Sequence, residues 1–395
     1  MEKHTPPTIF MVAGEASGDL HGANLVRHLR PMLPGARFFG IGGEAMAAQG
    51  VEIVFDCAKL AVVGLTEIAG KMSTIVRAFA WAARSLDTIR PEVAILIDFP
   101  DFNLRIAGIA RRRGIPVVYY IAPQVWAWRR GRIGRIAERV TKLLVIFPFE
   151  EDLFRGAGID ALYVGHPLLD AIGEAGSSEP DSRDWGLSPL YPVVGLFPGS
   201  RPREVDVLLP PMVEAAARLR QVFPRMQFIL GQAPSLDPAR VERLLQGAPV
   251  PVRRIDGHTH RAMRLCDAAI VASGTATLEL ALFEVPMVIV YKVSVLTYLV
   301  GRSLVRVPSI GLANLVSGKQ IVPELIQGEV TGRGIFEACL PLVTNSVYRA
   351  AVKKELRRVR AALGEPGASR RAAESVLSIV GRPPGAVPSL PAGDG

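Results

Sequence analysis

Short, nearly uncharged runs of Val and Ile recur along the chain, and stretches of helical character fall between them. Thr8–Val12, Val93–Ile97, Val117–Ile121 and Lys142–Phe147 are such runs. They have the composition of strands buried on both faces. Leu104–Arg113 reads as a helix closed by Gly114 and Pro116. Strands that alternate with helices imply parallel sheets joined by right-handed crossovers. Residues 171–190, rich in Gly, Ser, Pro and Asp, interrupt the pattern. It then resumes with predicted strands at Val193–Phe197, Met226–Leu230, Ala268–Val271 and Met287–Tyr291 and helices at Glu204–Gln221 and Thr275–Phe283. A chain of 395 residues exceeds one compact core. The expected fold is therefore α/β, with two doubly wound, Rossmann-like domains. The first is placed at residues 1–170 and the second at 191–345, with 171–190 as linker. Amphipathic helices follow over 346–381, and a Pro- and Gly-rich tail over 382–395 is expected to be disordered.

The chain is 49% hydrophobic, yet no stretch reaches the roughly 18 uncharged apolar residues of a spanning helix. The longest approach, Val285–Val300, is interrupted by Lys292, and Ile9–Ala13 is too short for the core of a signal peptide. These features predict a cytosolic protein with a partly apolar surface. A net charge of +9 favours an anionic partner: nucleic acid, anionic lipid or a phosphorylated substrate. The three cysteines, Cys57, Cys266 and Cys339, form no CxxC pair. His258 and His260 lie two apart without further clustered ligands. Neither a disulfide nor a metal site is expected.

Open α/β sheets bind ligands beyond the carboxyl ends of their strands, so the residues just after each strand carry the functional information. After the first strand comes Gly14-Glu15-Ala16-Ser17-Gly18-Asp19. It is a tight βα turn in which Asp19 is expected to cap a helix over Leu20–Leu29. GxGxxG is absent, and Gly40-Ile41-Gly42-Gly43 is equally incomplete as a dinucleotide signature. Asp98-Phe99-Pro100-Asp101-Phe102-Asn103 follows a purely apolar strand. Asp98 is either a base with a raised pKa or, like Asp101, a helix cap. Pro198-Gly199-Ser200-Arg201 suits an anion held by backbone N–H groups and a guanidinium, the alternative being an Arg201–Glu204 pair. Ser273-Gly274-Thr275-Ala276-Thr277 opens a helix and suits a diphosphate, with Glu279 within reach of ribose hydroxyls. Asn314, in an apolar loop that leads to Pro323-Glu324, needs a polar partner and reads on its own as a structural asparagine.

Two further segments point to a surface. Trp126 and Trp128 precede Arg129, Arg130, Arg132, Arg135 and Arg139, a pattern suited to a bilayer interface, a phosphate-bearing lipid or single-stranded nucleic acid. The stretch Leu60–Ala83, with Val63, Ile68 and Met72, is either a buried core helix or an acyl-chain or membrane-facing one.

Taken in order, GEASGDLHGANL (14–25), DFPDFN (98–103), PQVWAWR (123–129), VGHPL (164–168), PGSRPREV (198–205), ASGTATLE (272–279) and NLV…PELIQ (314–327) resemble the lipid-A-disaccharide synthase family. The resemblance spans about residues 9–330. It implies the GT-B arrangement of two Rossmann domains, with the 346–381 helices crossing back to the first domain. The implied enzyme is an inverting hexosyltransferase that joins UDP-2,3-diacylglucosamine to 2,3-diacylglucosamine 1-phosphate through a β(1→6) bond in lipid A biosynthesis, without a metal or other cofactor. It implies Asp98 as general base, with Arg201 and Asn314 in the catalytic set. The UDP-sugar would be held by Gly14, Ser200, Arg201, Ser273, Gly274, Thr275, Thr277, Glu279, Asn314 and Glu324. The acylated acceptor or lipid would meet Glu15, Ser17, Asp19, Val63, Ile68, Met72, Trp126 and Arg129. The family also implies a peripheral attachment to the cytosolic face of the inner membrane, no nucleic-acid partner, and a homodimer that exchanges its C-terminal part. Rival readings are a UDP-N-acetylglucosamine 2-epimerase of the same fold, a lipid- or nucleic-acid-binding protein, and a dehydrogenase. The last is weakened by the missing GxGxxG.

Overall fold

The computed structural model describes residues 6–57, 60, 65–123, 125, 131–174, 181–233, 236–293 and 309–380. Val63, Trp126 and Arg129 lie outside them, as does the side chain of Ile68. The chain divides into two compact units, residues 1–170 with 365–395 and residues 171–364.

The first unit holds a seven-stranded parallel sheet in the order β3-β2-β1-β4-β5-β6-β7. Its strands are β1 Thr8–Ala13, β2 Arg37–Gly42, β3 Glu52–Asp56, β4 Val93–Ile97, β5 Val117–Tyr120, β6 Lys142–Val145 and β7 Ala161–Tyr163. Its helices are α1 Ala16–Met32, α2 Glu44–Ala48, α3 Leu65–Thr88, α4 Pro100–Arg112, α5 Arg132–Arg139, α6 Pro148–Arg155 and α7 Pro167–Glu174. The central strand β4 is buried at every position, as a strand covered by helices on both faces must be. The edge strand β3 alternates between exposed and half-buried residues. α3 turns Ala78, Ala82 and Leu86 into the core, where Trp81 packs within 5.7 Å of Phe55 and 6.1 Å of Phe10. One turn earlier it leaves Met72 and Val76 about half exposed. The helix is thus core-forming at its carboxyl end, and before it Met72 and Val76 are exposed beside Ser73 and Arg77.

The second unit repeats the arrangement with six parallel strands in the order β10-β9-β8-β11-β12-β13. These are β8 Val193–Phe197, β9 Gln227–Gln232, β10 Val252–Asp256, β11 Ala268–Ala272, β12 Met287–Tyr291 and β13 Glu324–Ile326. The helices are α8 Pro202–Val222, α9 Pro238–Leu245, α10 Thr259–Arg264, α11 Ala276–Leu282, α12 Leu312–Ser317, α13 Gly332–Thr344 and α14 Ser346–Ala362. One last helix, α15 Ala368–Leu377, belongs to the first unit.

Three local expectations are corrected. Asp19 does not cap its own helix, which begins at Ala16. Its buried carboxylate instead accepts hydrogen bonds from the backbone N–H groups of Gly43 (2.6 Å), Ala45 (2.9 Å) and Met46 (3.1 Å), at the start of α2. Neither Asp98 nor Asp101 caps α4: its N-cap is Phe99, without a side-chain cap bond, and Asp101 pairs with Arg132. The 346–381 stretch also does not return as a whole to the first unit. α14 lies in the second, where Val352, Leu356 and Val359 are buried and the helix packs on α11 and α12. Only α15 lies in the first unit, packed on α1. There Asp170 accepts from the N–H groups of Gly367 (2.5 Å) and Ser369 (2.9 Å), and Arg371 donates to the carbonyl of Val164 at 2.7 Å. Next to that carbonyl, His166 accepts a 3.2 Å bond from Leu168 N–H at the start of α7, and burial pushes its imidazole down to about 3. The VGHPL segment is thus held by the fold through a neutral histidine.

Asp19→Ala would leave three N–H groups at the start of α2 without their acceptor. Only Met46 N–H is fully buried, at about 1–3 kcal/mol for an orphan, while those of Gly43 and Ala45 are part-buried and cost less, so urea denaturation is expected to show a loss of about 2–4 kcal/mol. A loss below about 0.5 kcal/mol would mean that the carboxylate is not what holds α2 to α1.

Candidate active site

In each sheet the strand order reverses at one point, between β1 and β4 in the first unit and between β8 and β11 in the second. Helices leaving the two strands there diverge to opposite faces, which opens a crevice at their carboxyl ends. Gly14-Glu15 and Asp98-Phe99 flank the first reversal. Pro198–Arg201 and Ser273–Thr275 flank the second.

At the first reversal the chain leaves β4 through two consecutive left-handed residues, Asp98 (φ 46°) and Phe99 (φ 48°). For residues with a Cβ this costs about 1–3 kcal/mol each, so the surroundings must enforce it. They do. Asp98 N–H donates to the carbonyl of Tyr120 at 3.0 Å. Its own carbonyl accepts from Asn103 Nδ2 at 2.7 Å and from the Tyr119 hydroxyl at 2.6 Å. The Phe99 ring lies over Gly14, where a Cβ would come within 2.2 Å of it, so no larger residue fits there without displacing the ring. Burial, and after it the charge of Glu15, raise the Asp98 carboxyl to about 6 against an opposing hydrogen bond from Phe99 N–H. Glu15 and Ser17 are exposed at the start of α1.

At the second reversal Arg201 is the N-cap residue of α8, with Pro202 behind it. The chain turns at Gly199 (φ 105°), where a Cβ would sit 2.6 Å from Glu204 Oε2. Arg201 Nη1 lies 3.5 Å from Glu204 Oε1, and the arginine side chain remains about half exposed (56%). The Arg–Glu pair and an anion-binding Arg201 are therefore compatible. Burial pushes the Glu204 carboxyl up against the pull of Arg201. Tyr291, at the end of β12, is raised by burial and then by the Glu204 charge, while Arg201 opposes the shift. Sequence reasoning weighed Glu204 as the partner of Arg201 but passed over Tyr291, because strand spacing alone does not bring β12 to the loop after β8.

The residues assigned to the UDP-sugar divide into two groups. Gly274 and Thr275 are exposed at the end of β11. The hydroxyls of Ser273 and Thr277 instead donate to the carbonyls of Ile310 (2.8 Å) and Gly274 (2.7 Å), so their protons hold the loop together. Asn314 is buried and fully engaged. Its amide donates to Val322 O (3.0 Å) and Glu324 Oε1 (2.8 Å), and its carbonyl accepts from Ile321 N (2.8 Å) and Val322 N (3.1 Å). Glu324 in turn accepts from Ile310 N at 2.9 Å and Gly311 N at 3.0 Å. An amide with two donors and two acceptor sites has no capacity beyond these four bonds. In this arrangement Asn314 and Glu324 knit the 309–324 loop. Glu279 stands 3.5 Å from His260 Nε2 on α10. Ser200 and Arg201 remain in the loop after β8. Ser17 and Met72 are exposed, and the carboxylate of Asp19 is occupied by α2.

The raised Asp98 carboxyl makes a stability prediction. Its folded value, about 6, lies above the ordinary 3.8. The folded chain then holds a proton that the unfolded chain releases. Ionisation costs stability as pH rises from about 4 to 6 and in full above it. Asp98→Asn should therefore raise stability near pH 8 by up to about 3 kcal/mol, with the gain vanishing near pH 4. Urea melts at both pH values check this, and equal effects at the two would contradict it.

The model of the family described as lipid-A-disaccharide synthetase matches residues 9–380. Lipid-A-disaccharide synthase of Syntrophus aciditrophicus is 46% identical over 373 residues, covering 94% of this chain and 97% of that protein. The Myxococcus xanthus enzyme of the same name is 43% identical, covering 97% and 99%. Among solved structures, a UDP-GlcNAc 2-epimerase from Neisseria meningitidis bound to UDP-GlcNAc superposes with TM-score 0.65 at 11% identity, covering 94% of this chain and all of that one. The kitacinnamycin glycosyltransferase superposes with TM-score 0.62 at 18% identity, covering 95% and 99%. At such identities the structures establish the shared GT-B fold, while the sequence relationship separates this chain from the epimerases. With the match running through both sheets and the loops at both reversals, the chain belongs to the lipid-A-disaccharide synthase family.

Proposed function

We propose that the chain condenses UDP-2,3-diacylglucosamine with 2,3-diacylglucosamine 1-phosphate, forming the β(1→6) disaccharide 1-phosphate and UDP. The observation that carries the mechanism is Asp98, a carboxyl raised by burial at the first reversal and held there by a left-handed backbone. In the reaction the Asp98 carboxylate takes the proton from the acceptor 6-hydroxyl. That oxygen attacks the anomeric carbon, the bond from this carbon to the diphosphate oxygen breaks, and inversion results. The departing electron pair goes to UDP. Arg201 and the exposed backbone at Gly274-Thr275 offset the charge gathering on the diphosphate. Glu279 accepts from the ribose hydroxyls, held in place by His260. Asn314 and Glu324 act by positioning the loop beside Ser273. Gly14 keeps the approach to Asp98 open, and Glu15 keeps the base raised.

The acyl chains of both substrates call for a lipid surface. No helix among the described residues is long and apolar enough to cross a membrane. The exposed Met72 and Val76 on α3 support peripheral attachment at the cytosolic face of the inner membrane. A homodimer is part of the same proposal and would be read from the molar mass in detergent.

Two experiments test this reading. Purified protein is given both acylated substrates in detergent without added metal, and UDP and disaccharide are followed. Equal amounts of the two are expected, falling at least about 10²-fold in Asp98→Asn, as for loss of a general base. UDP without disaccharide would sink the acceptor assignment, and no UDP at all would sink the reaction. Secondly, kcat/KM should fall below pH about 6 with the Asp98 carboxyl. Glu15→Gln removes a like charge and should move that limb to lower pH. A limb that stays put excludes Glu15 as the neighbour that raises the base.

A further inference from the structure

The second unit carries a large groove at the opposite end of its sheet from the nucleotide loops, and the reaction above leaves it unused. It has a volume of about 1180 Å³ and lies among the residues before β8 and β9, the carboxyl end of α9 and strand β10. Arg220, Arg225, Arg243, Arg253 and Arg254 line it, with only Glu242 and Asp256 as carboxylates, a formal excess of three positive charges.

The five arginines are not equivalent. Arg254 is neutralised locally, 3.2 Å from Asp256 and 3.8 Å from Glu242. Arg220 donates to the carbonyl of Met226 and is held by the fold. Arg225, Arg243 and Arg253 are exposed. Arg225 and Arg253 have no carboxylate partner among the described residues, and the Arg225 guanidinium is placed over the Tyr191 ring, 5.3 Å from its centroid. A guanidinium stacked on an aromatic face keeps its N–H edges free while its orientation is restricted. Arg243 is exposed, donates one bond to the carbonyl of Ala239 at 3.3 Å, and acts on Asp206 only through its charge, Asp206 being bound directly by Arg240. Three cations thus face one concavity with little internal compensation, an arrangement that repels itself unless an anion joins it.

We propose that this groove is an electrostatic docking surface for the phosphate headgroups of an anionic lipid bilayer, with Arg225, Arg243 and Arg253 as its cations. The inference rests on the reading that the substrates are acylated and presented at a membrane. The exposed Met72 and Val76 of α3 would be one attachment and this groove a second, borne by a different unit and of a different chemistry. Anionic headgroups match it in sign. Each arginine near a charged bilayer contributes about fivefold in partition coefficient, so the three together give about 10²-fold.

The test is co-sedimentation of the full chain with vesicles of phosphatidylglycerol and phosphatidylcholine, and with phosphatidylcholine alone. The triple variant Arg225→Gln, Arg243→Gln, Arg253→Gln is compared with Met72→Ser, Val76→Ser. The triple variant should lose about 10²-fold in binding to the anionic vesicles and little on the neutral ones, while its turnover in detergent stays unchanged. The α3 variant should lose binding to both. Unchanged anionic-vesicle binding in the triple variant overturns the proposal. So does a groove occupied equally well by inorganic phosphate, detected as protection of the wild type but not the variant against thermal unfolding at millimolar phosphate, without any vesicle effect. Retention on immobilised RNA that the variant loses, with vesicle binding intact, would instead make the groove a nucleic-acid surface. Failure of the detergent assay in the wild type would sink the reaction and leave the vesicle result to be read separately.

Discussion

A parallel strand cannot be followed by its neighbour through a tight turn, because the chain has to travel back along the whole sheet first. Everything else in this molecule follows from that constraint. Among the described residues all thirteen strands pair in parallel, so each return is a crossover, usually a helix, and the helices bury both faces of the two sheets. Polar residues are thereby driven off the faces. Many collect where strands give way to helices. At the two reversals of strand order the departing helices separate, and the loops there have no neighbour of their own element to pack on. Gly14-Glu15, Asp98-Phe99, Pro198–Arg201 and Ser273–Thr275 all occupy such positions.

The price of this placement is visible at Asp98. The residue combines a left-handed backbone with a carboxyl raised to about 6, and both disfavour the folded chain. The compensation comes from neighbours: the Tyr119 hydroxyl and the Asn103 amide bind its carbonyl, and the Tyr120 carbonyl receives its N–H. Asn103 is fully buried and also bonds Ile97 O at 3.1 Å. Its place in the Asp98–Asn103 segment is thus explained by support of the strained turn. These bonds hold the backbone at the crevice, while burial and the Glu15 charge raise the carboxyl it presents there.

The central strands were legible because their signal is composition: β1, β4, β8 and β11 are continuous apolar runs. The strands that escaped sequence reading are mostly at or near edges. β3 and β10 are half exposed, and β10 carries Arg253 and Arg254 in its middle, so neither has the apolar run that marks a buried strand. β7 and β13 have three residues each, too few for any period. The loops at the two reversals were found because each follows a legible strand, β1, β4, β8 or β11. What their spacing did not carry was the direction of individual hydrogen bonds. Asp19 stands where a cap belongs, and only the return of the chain through β2 brings the start of α2 to its carboxylate.

The same limit separates ligands from scaffolding in the second unit. Seen as a string, Ser273, Thr277 and Asn314 look alike: small polar residues at the carboxyl edge of a sheet. Their hydrogen bonds distinguish them from Arg201, whose guanidinium stays half exposed despite its link to Glu204. A side chain whose donors and acceptors are all engaged in the protein cannot turn to a ligand without breaking a buried bond, at about 1–3 kcal/mol for each group left unpaired. A half-exposed guanidinium in a wide ion pair can turn at much lower cost. In the proposed reaction it is this difference, rather than residue type, that would fit Arg201 to meet a charge appearing only as the diphosphate leaves, and Asn314 and Glu324 to hold still the loop against which that charge would develop.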